Sequence, residues 1–370
     1  MTNLEGLADI PCPSDPTGQR LSENGKPTNL PITIGHSIVC DGWIFGKTTA
    51  VFTHFHDDHT WNVGRTLTNC HHILLTEPTY QALRALGKIP ERANIERLPY
   101  NRTHTTAKGE KIELINANHV PGSCQVFVTM EETGETILYS GDFCYPEIQT
   151  PKANVLVLDG VHGIPEYDFD TDKPSILRRI FDTVIEAIGK DQPVEIQAQR
   201  GTMQDIMAEL CRTSEEGDFI PEDIPFLAHK NEIDLTEAIE YTYKECGCPI
   251  RKIEPDTTHR LNELYNDEKR PYVRFTRPGT NSAEHERATV IQADVNPHFK
   301  QRGPMWSDKN GKWYACLAAH AGYSDILKYV DAVKPDRVIV DGTRVNSETA
   351  NSLANSISKE LRITAYPKNC

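Results

Sequence analysis

The chain predicts an α/β protein in which one domain interrupts another, and three observations carry that expectation. From about residue 32 to 144, short apolar runs alternate with turn signals, as successive strands do. After Gly163 the apolar spacing becomes helical over 174–190, 202–213 and 233–246, with strand-like runs near 194–197 and 224–228 between them. Strand signals return at 272–275 and 314–318, ahead of a helical stretch at 324–332 and the strand Arg337-Val338-Ile339-Val340. These late strands resemble the first region more than the acidic middle. The expected division is a first domain in two parts, 1–168 and 271–370, around an insertion at 169–270. A chain of 370 residues suits this, at roughly 100–200 residues per domain.

Taken in order, residues 8–31 are rich in Pro, Gly, Ser and Asn and read as an irregular arm. The strands that follow are Ser37-Ile38-Val39-Cys40, Thr49-Ala50-Val51-Phe52, Lys111-Ile112-Glu113-Leu114-Ile115, Gln125-Val126-Phe127-Val128 and Thr136-Ile137-Leu138-Tyr139. A turn at Gly134 makes a hairpin of the last two. Thr76-Glu77 is a helix start signal and predicts a helix over 78–86. Neither an internal repeat nor a low-complexity tract is visible.

Composition narrows the function classes. Hydrophobic residues make up 38% of the chain, enough to bury a core and exclude disorder throughout. The formal charge is −14, from 39 Lys+Arg against 53 Asp+Glu, which argues against coating nucleic acid or anionic membrane by net charge. A polyanionic substrate must be met locally, by metal ions or a small basic groove. Apolar runs such as Asn154-Val155-Leu156-Val157-Leu158 are too short to cross a bilayer, and the first residues lack a signal-peptide pattern. The ten Cys are irregularly spaced, with Cys246 and Cys248 the closest pair, so reduced thiols in a cytoplasm are expected, or a nucleus if the source is eukaryotic.

Thr53-His54-Phe55-His56-Asp57-Asp58-His59 follows a strand directly and carries the strongest chemical signal. Backbone alternation lets His54 and His56 face one side while Phe55 faces the other. Asp58 and His59 fall on the following turn and can face a second ion. Imidazole and carboxylate ligands suit zinc or another borderline divalent metal. An exposed polar loop is the plain alternative, but so dense a run of ligand types makes it improbable. His119, Asp142 and His320 each follow a strand as well. Singly, each is more often a packed or capping residue; together they extend the metal reading.

Asp41 in Val39-Cys40-Asp41-Gly42, the His54–His59 run, Asn118-His119-Val120-Pro121-Gly122 and Ser140-Gly141-Asp142-Phe143 resemble the four core motifs of metallo-β-lactamase-fold hydrolases. The spacing is most similar to the DNA-crosslink-repair, Artemis and Apollo-type nucleases, which carry an inserted β-CASP domain. Val157-Leu158-Asp159-Gly160 and Ala319-His320-Ala321-Gly322-Tyr323 resemble two of the β-CASP motifs, and Phe275-Thr276-Arg277-Pro278-Gly279 the segment that re-enters the hydrolase domain. The resemblance covers about residues 32–163 and 272–345. It implies an αββα sandwich with an α/β insertion. His54, His56 and His119 would hold one zinc ion and Asp58, His59 and His320 another, with Asp142 bridging; Mn2+ or Mg2+ are alternatives, and one ion in place of two stays open. Asp41 would orient the ligand loop and Asp159 would hold a histidine or move a proton, so that Asp58, Asp142, Asp159 and His320 form the catalytic set. The chain departs from the family at Asp341, where RNA-processing relatives carry a His and DNA-directed relatives a Val; Asp341 is expected to support the ligands from behind. It departs again at Thr60-Trp61-Asn62-Val63-Gly64 and Gly160-Val161-His162.

The resemblance implies a phosphodiesterase acting on nucleic acid, DNA ahead of RNA, from the 5′ end, in repair or processing. Arg200, beside Gly201 ahead of a predicted helix, and Arg277 are the expected substrate contacts. Alternatives of other classes are an RNA-processing nuclease, a small-molecule ester or lactone hydrolase, and a metal-poor scaffold subunit. The last would have lost ligands that this chain keeps. No GxSxG elbow or P-loop is present, and Cys124 beside Ser123 reads as a packed thiol.

Overall fold

Alternation along single strands sets the layers. In Val155–Leu158, Val155 and Val157 face one apolar cluster while Leu156 and Leu158 face another. A strand covered on both faces reads as an unbroken apolar run, which is what these four residues are. The computed structural model describes residues 6–12, 20–21, 27–169, 172–214, 217–267, 270–280, 288–295 and 298–368. The chain divides into two compact units, Met1–Asp168 with His320–Cys370, and Phe169–Ala319. Both are α/β.

The first unit holds two sheets. One runs Ala8–Asp9, Ile32–Ile34, Ile38–Cys40, Thr49–Val51, His72–Leu75, Ile95–Arg97 across its width, antiparallel at the start and parallel from Ile38 onward. The other orders Thr364–Lys368, Arg337–Asp341, Val155–Leu158, Thr136–Tyr139, Cys124–Met130, Glu110–Asn116, Thr103–Thr105. Its hairpin pairs Val126 with Tyr139 and turns at Gly134, as the sequence implies. Ile32, Ile34, Val51 and Leu74 of the first sheet share a core with Ile112, Val126, Ile137 and Val155 of the second. Behind the second sheet, Leu138, Leu156 and Val338 pack on Tyr329 and Val330 of the helix Tyr323–Val333 and on Leu353 of the helix Ser347–Ser356. The expected helix at 78–86 is Glu77–Ala85, with Thr76 capping Thr79 N–H.

The second unit is a sheet ordered Ile253–Pro255, Phe226–Ala228, Val273–Thr276, Val194–Ala198, Thr289–Ala293, Trp313–Ala315, Met305–Ser307, parallel except for its last pair. The helices Lys173–Ile188, Thr202–Leu210 and Lys230–Glu245 occur where helical spacing predicts them. Here the expected domain boundary is corrected. Val273–Thr276 pairs with Val194–Ala198 and Phe226–Ala228, and Trp313–Ala315 with Thr289–Ala293, so residues 271–319 belong to the second unit and the return comes at His320. An apolar run announces a strand but not its partner.

Of the expected irregular arm, 13–19 and 22–26 lie outside the described residues. Ala8–Asp9 is instead a strand, paired with Ile32–Ile34, and Arg20–Leu21 pairs with Pro27–Thr28. Eight described cysteines are free, but Cys12 is disulfide-bonded, against the expectation of reduced thiols throughout; spacing alone does not reveal connectivity. Among the described residues no helix is long and apolar enough to cross a membrane.

One buried carboxylate ties the two sheets together. Glu110 opens the strand Glu110–Asn116 and accepts hydrogen bonds from His36 N–H, Ser37 N–H and the Ser37 hydroxyl, and from the Thr106 hydroxyl at 2.7 Å. Burial alone would raise its pKa, but the hydroxyls of Ser37 and Thr106 and the two amides hold it below the usual carboxylate value. A depressed folded pKa contributes stability above the unfolded value of about 4.3, lost as pH falls through the folded one. Thermal unfolding of Glu110→Gln should therefore fall below wild type at pH 7, and the gap should close as pH drops below about 4. A gap independent of pH would show that the charge contributes nothing.

Candidate metal centre

The strand Thr49–Val51 lies between parallel neighbours, so its continuation leaves the sheet at the carboxyl end beside the ends of Ile38–Cys40 and His72–Leu75. Phe52 and Phe55 are buried there, and His54 between them is fully buried. Asp41, at the end of Ile38–Cys40, has φ 54° and no exposed surface. Its Oδ1 accepts from Thr53 N–H at 2.8 Å. Its Oδ2 accepts from the Thr53 hydroxyl at 2.8 Å, the Tyr139 hydroxyl at 2.9 Å and His59 Nδ1–H at 2.8 Å. The last bond fixes the His59 tautomer and leaves Nε2 as the ligand atom.

His119 stands in the loop joining the strands Glu110–Asn116 and Cys124–Met130. Ser123 Oγ accepts from His119 N–H and Val120 N–H, closing that loop. Gly122, at φ 83°, is seated by its carbonyl, which accepts from the hydroxyls of Thr76 and Thr79; a Cβ there would stand 2.7 Å from both Thr76 Oγ1 and Thr79 N. Asp142 follows Thr136–Tyr139 by way of Gly141, at φ 54°, where a Cβ would stand 2.8 Å from the Cys124 carbonyl. Both loops thus need glycine to bring a ligand-type side chain inward.

Asp142 is the meeting point. Its Oδ2 lies 3.5 Å from His54 Nε2, 3.6 Å from His119 Nε2 and 3.8 Å from His320 Nε2, and its Oδ1 lies 3.1 Å from His59 Nε2. His56 Nδ1 is 3.1 Å from His119 Nε2, and the half-exposed Asp58 reaches within 3.6 Å of His59 Nε2. Asp159 accepts from His320 Nδ1–H at 3.0 Å and from Val161 N–H at 2.9 Å. Three overlapping groups result: His54, His56, His119 with Asp142; Asp58, His59 with Asp142; and Asp142, Asp159 with His320. Within each group the ligand atoms lie within 4.8 Å of one another. All eight of these residues were picked from the sequence as ligands or catalytic groups.

The donor set fits a divalent ion. His54 Nε2 and His59 Nε2 are buried with no hydrogen-bond partner, a costly state for an imidazole nitrogen unless something else takes the lone pair. Nitrogen with carboxylate oxygen is a zinc-class set. The charges agree. Burial opposes ionisation of Asp142, but the imidazoles of His59, His320 and His54 outweigh it and hold its pKa well below the usual value. Burial and the facing His59 push His54 well down, so it is neutral and ready to ligate. His320 is driven down by burial but further up by Asp142 and Asp159, reaching about 9.

The remaining expected residues are not members of these groups. Asp341 accepts from Thr343 N–H and hydroxyl at 2.8 Å and pairs with the buried Arg344. Arg200 and Arg277 are in the second unit, where they line a cavity of about 270 Å³ with His229, Asp256 and Arg274. Arg200 is buried in a bidentate pair with Glu232, and the half-exposed Arg277 lies 3.9 Å from the same carboxylate. Cys124 is a buried thiol, its pKa raised by burial.

Three residues near the cluster were not anticipated. Tyr139 donates to Asp41, and an apolar run hides its hydroxyl. Arg344 keeps its charge despite burial because Tyr139, Asp341 and Asp41 surround it. His162 stacks on Tyr167 and stands 5.6 Å from the His320 ring; burial and the neighbouring His320 lower its pKa to about 3. The departure at Gly160-Val161-His162 was its signal in the sequence.

No family model matches the chain. Among curated proteins it is 29% identical over 153 residues to mouse DNA cross-link repair 1A protein, covering 40% of this chain and 14% of that one. It is 33% identical over 124 residues to chicken 5′ exonuclease Apollo, covering 32% and 26%. An Acidianus ambivalens protein described as "Uncharacterized protein in lig 3'region" is 35% identical over 121 residues, 30% of this chain and 79% of that protein. The match thus spans only a small part of the cross-link repair and Apollo proteins. A solved structure of a protein of unknown function from Enterococcus faecalis superposes with a TM-score of 0.52 at 13% identity, over 82% of this chain and 76% of that one, which supports an α/β fold. DNA cross-link repair 1A, Apollo and SNM1 proteins are all among its relatives, so over the matched stretches the chain is similar to the β-CASP nucleases of the Artemis and SNM1 type.

Proposed function

We propose that the chain is a metal-dependent nuclease that hydrolyses phosphodiester bonds of DNA from the 5′ end, in repair or processing. The observation that carries this reading is the convergence of four histidines on Asp142, two of them with buried, unpartnered Nε2 atoms. The names of the relatives supply the substrate class. In this reading the first unit is a metallo-β-lactamase αββα sandwich, and residues 169–319 are its β-CASP insertion. The two sheets sharing one core, with helices behind the second, support that assignment.

His54, His56 and His119 would hold one zinc ion and Asp58, His59 and His320 a second, with Asp142 available to both sets; manganese or magnesium are the alternatives. Such ions would polarise a phosphate and lower the pKa of a water toward about 7. Asp41 presents His59 by its Nδ1–H bond, and Asp159 presents His320 in the same way. Asp159 also stands where a proton can pass from His320 to a departing oxygen. Arg277, half-exposed, serves as the phosphate contact, while Arg200 positions Glu232 beneath it. The acidic chain needs such local cations, since its net charge repels DNA. The eight unbridged cysteines suit a cytoplasmic or nuclear setting, and the disulfide at Cys12 does not.

End-labelled single-stranded DNA and RNA, with and without a 5′ phosphate, test the activity in the presence of zinc or manganese. Stepwise shortening of 5′-phosphorylated DNA is expected from wild type and not from Asp58→Ala/His59→Ala or after chelation. No cleavage of either polymer by metal-loaded protein would remove the nuclease reading, and internal cuts in RNA alone would replace it with an RNA-processing one. Asp41→Asn should lower zinc affinity by about 10–100-fold, measured against a chelating dye on protein shown to be folded. Unchanged affinity would mean that Asp41 supports only the fold.

A further inference from the structure

A second group of imidazole and carboxylate side chains stands apart from the one around Asp142. His72 opens the strand His72–Leu75, Glu96 is central in Ile95–Arg97 and His104 is central in Thr103–Thr105. Their ligand atoms lie within 4.8 Å of one another. His104 Nδ1–H donates to Glu96 at 2.8 Å, and the His72 and His104 rings are 5.2 Å apart. His104 Nε2 is buried with no hydrogen-bond partner, whereas His72 and Glu96 are exposed, so an ion reaches the group from solvent without any opening of the fold.

The position is specific. Ile95–Arg97 is the outermost strand of the first unit's first sheet, and Thr103–Thr105 the outermost strand of its second. Outermost strands lack a neighbour on one side and are the parts of a sheet that fray or pair wrongly. Only five residues join these two, and the Glu96–His104 bond spans them.

We propose that His72, Glu96 and His104 form a second, peripheral site for a zinc-class divalent cation, which clips the outermost strands of the two sheets together. Two imidazoles and one carboxylate are a zinc donor set that leaves a fourth position for water or an outside ligand. A cation taken at Nδ1 displaces the proton now donated to Glu96 onto Nε2 of the same ring, so the imidazole stays neutral. The side chains are exposed enough to close the few tenths of an ångström or more that tetrahedral coordination requires. The ion binds the folded chain and not the unfolded one, so it raises the unfolding temperature in proportion to the logarithm of its concentration above Kd. This inference is independent of the nuclease reading.

Zinc content by elemental analysis and zinc-dependent unfolding temperature, both on the full chain, test it. His72→Ala/His104→Ala should bind one equivalent less than wild type and lose part of the zinc-induced rise, while keeping any nuclease activity. In a His54→Ala/His119→Ala background, adding His72→Ala should remove one further zinc equivalent. The exposed His72→Gln gives a readout that folding failure cannot confuse. Equal zinc content and an equal thermal rise in wild type and all His72 variants would overturn the proposal and leave Glu96 and His104 as a hydrogen-bonded pair.

Discussion

The arrangement depends on a carboxylate that no solvent touches. Asp41 is buried to 0% exposure and is satisfied by four donors from three residues: Thr53 twice, His59 and Tyr139. A buried carboxylate with one donor missing would be expensive, and each of these contacts fixes something different. Thr53 sets the path of the chain into His54, Tyr139 ties that path to the second sheet, and His59 receives its tautomer. The positive φ of Asp41 turns the carboxylate back toward the strand ends. Arg344, held by Asp341 on its far side, supplies the compensating charge.

Around that anchor the ligand-type residues share one geometric property: each follows a strand, of the first unit for all but His320, which follows Trp313–Ala315 of the second. Parallel neighbours in the first sheet bring Asp41 and the His54–His59 run to the same end, and the second sheet brings His119, Asp142 and Asp159 to it. The loops are held by hydrogen bonds that Ser123 and Ser140 accept and Thr76 donates, so ligand atoms from distant parts of the sequence meet within 4.8 Å in each group.

How much of this could be read in advance follows from the range of each signal. Ligand types packed into six positions, or standing just after an apolar run, are local patterns, and they located His54, His56, Asp58, His59, His119, Asp142 and His320 before any coordinates. Helical spacing is local too, and the middle helices fell where it placed them. Pairing is not local. Val273–Thr276 reads as a strand from its own residues, but only the sheet reveals that its partners are Val194–Ala198 and Phe226–Ala228. The same blindness hid Arg344, two of whose three anionic or phenolic neighbours, Tyr139 and Asp41, are far along the chain, and Tyr139, which looks like one more apolar strand residue. The short helix Val63–Asn69 escaped because seven residues are too few to establish a period.

His320 and Asp159, which share a hydrogen bond, are separated by 161 positions. At roughly 5–20 residues per second of synthesis, about 8–32 s pass on the ribosome between one and the other. Throughout that interval the nascent chain already carries His54, His56, His59, His119 and Asp142, a set able to grasp a metal ion but without the residue that completes it. The order of the chain therefore sets the whole second unit between the first ligand-type residues and the one that completes the cluster.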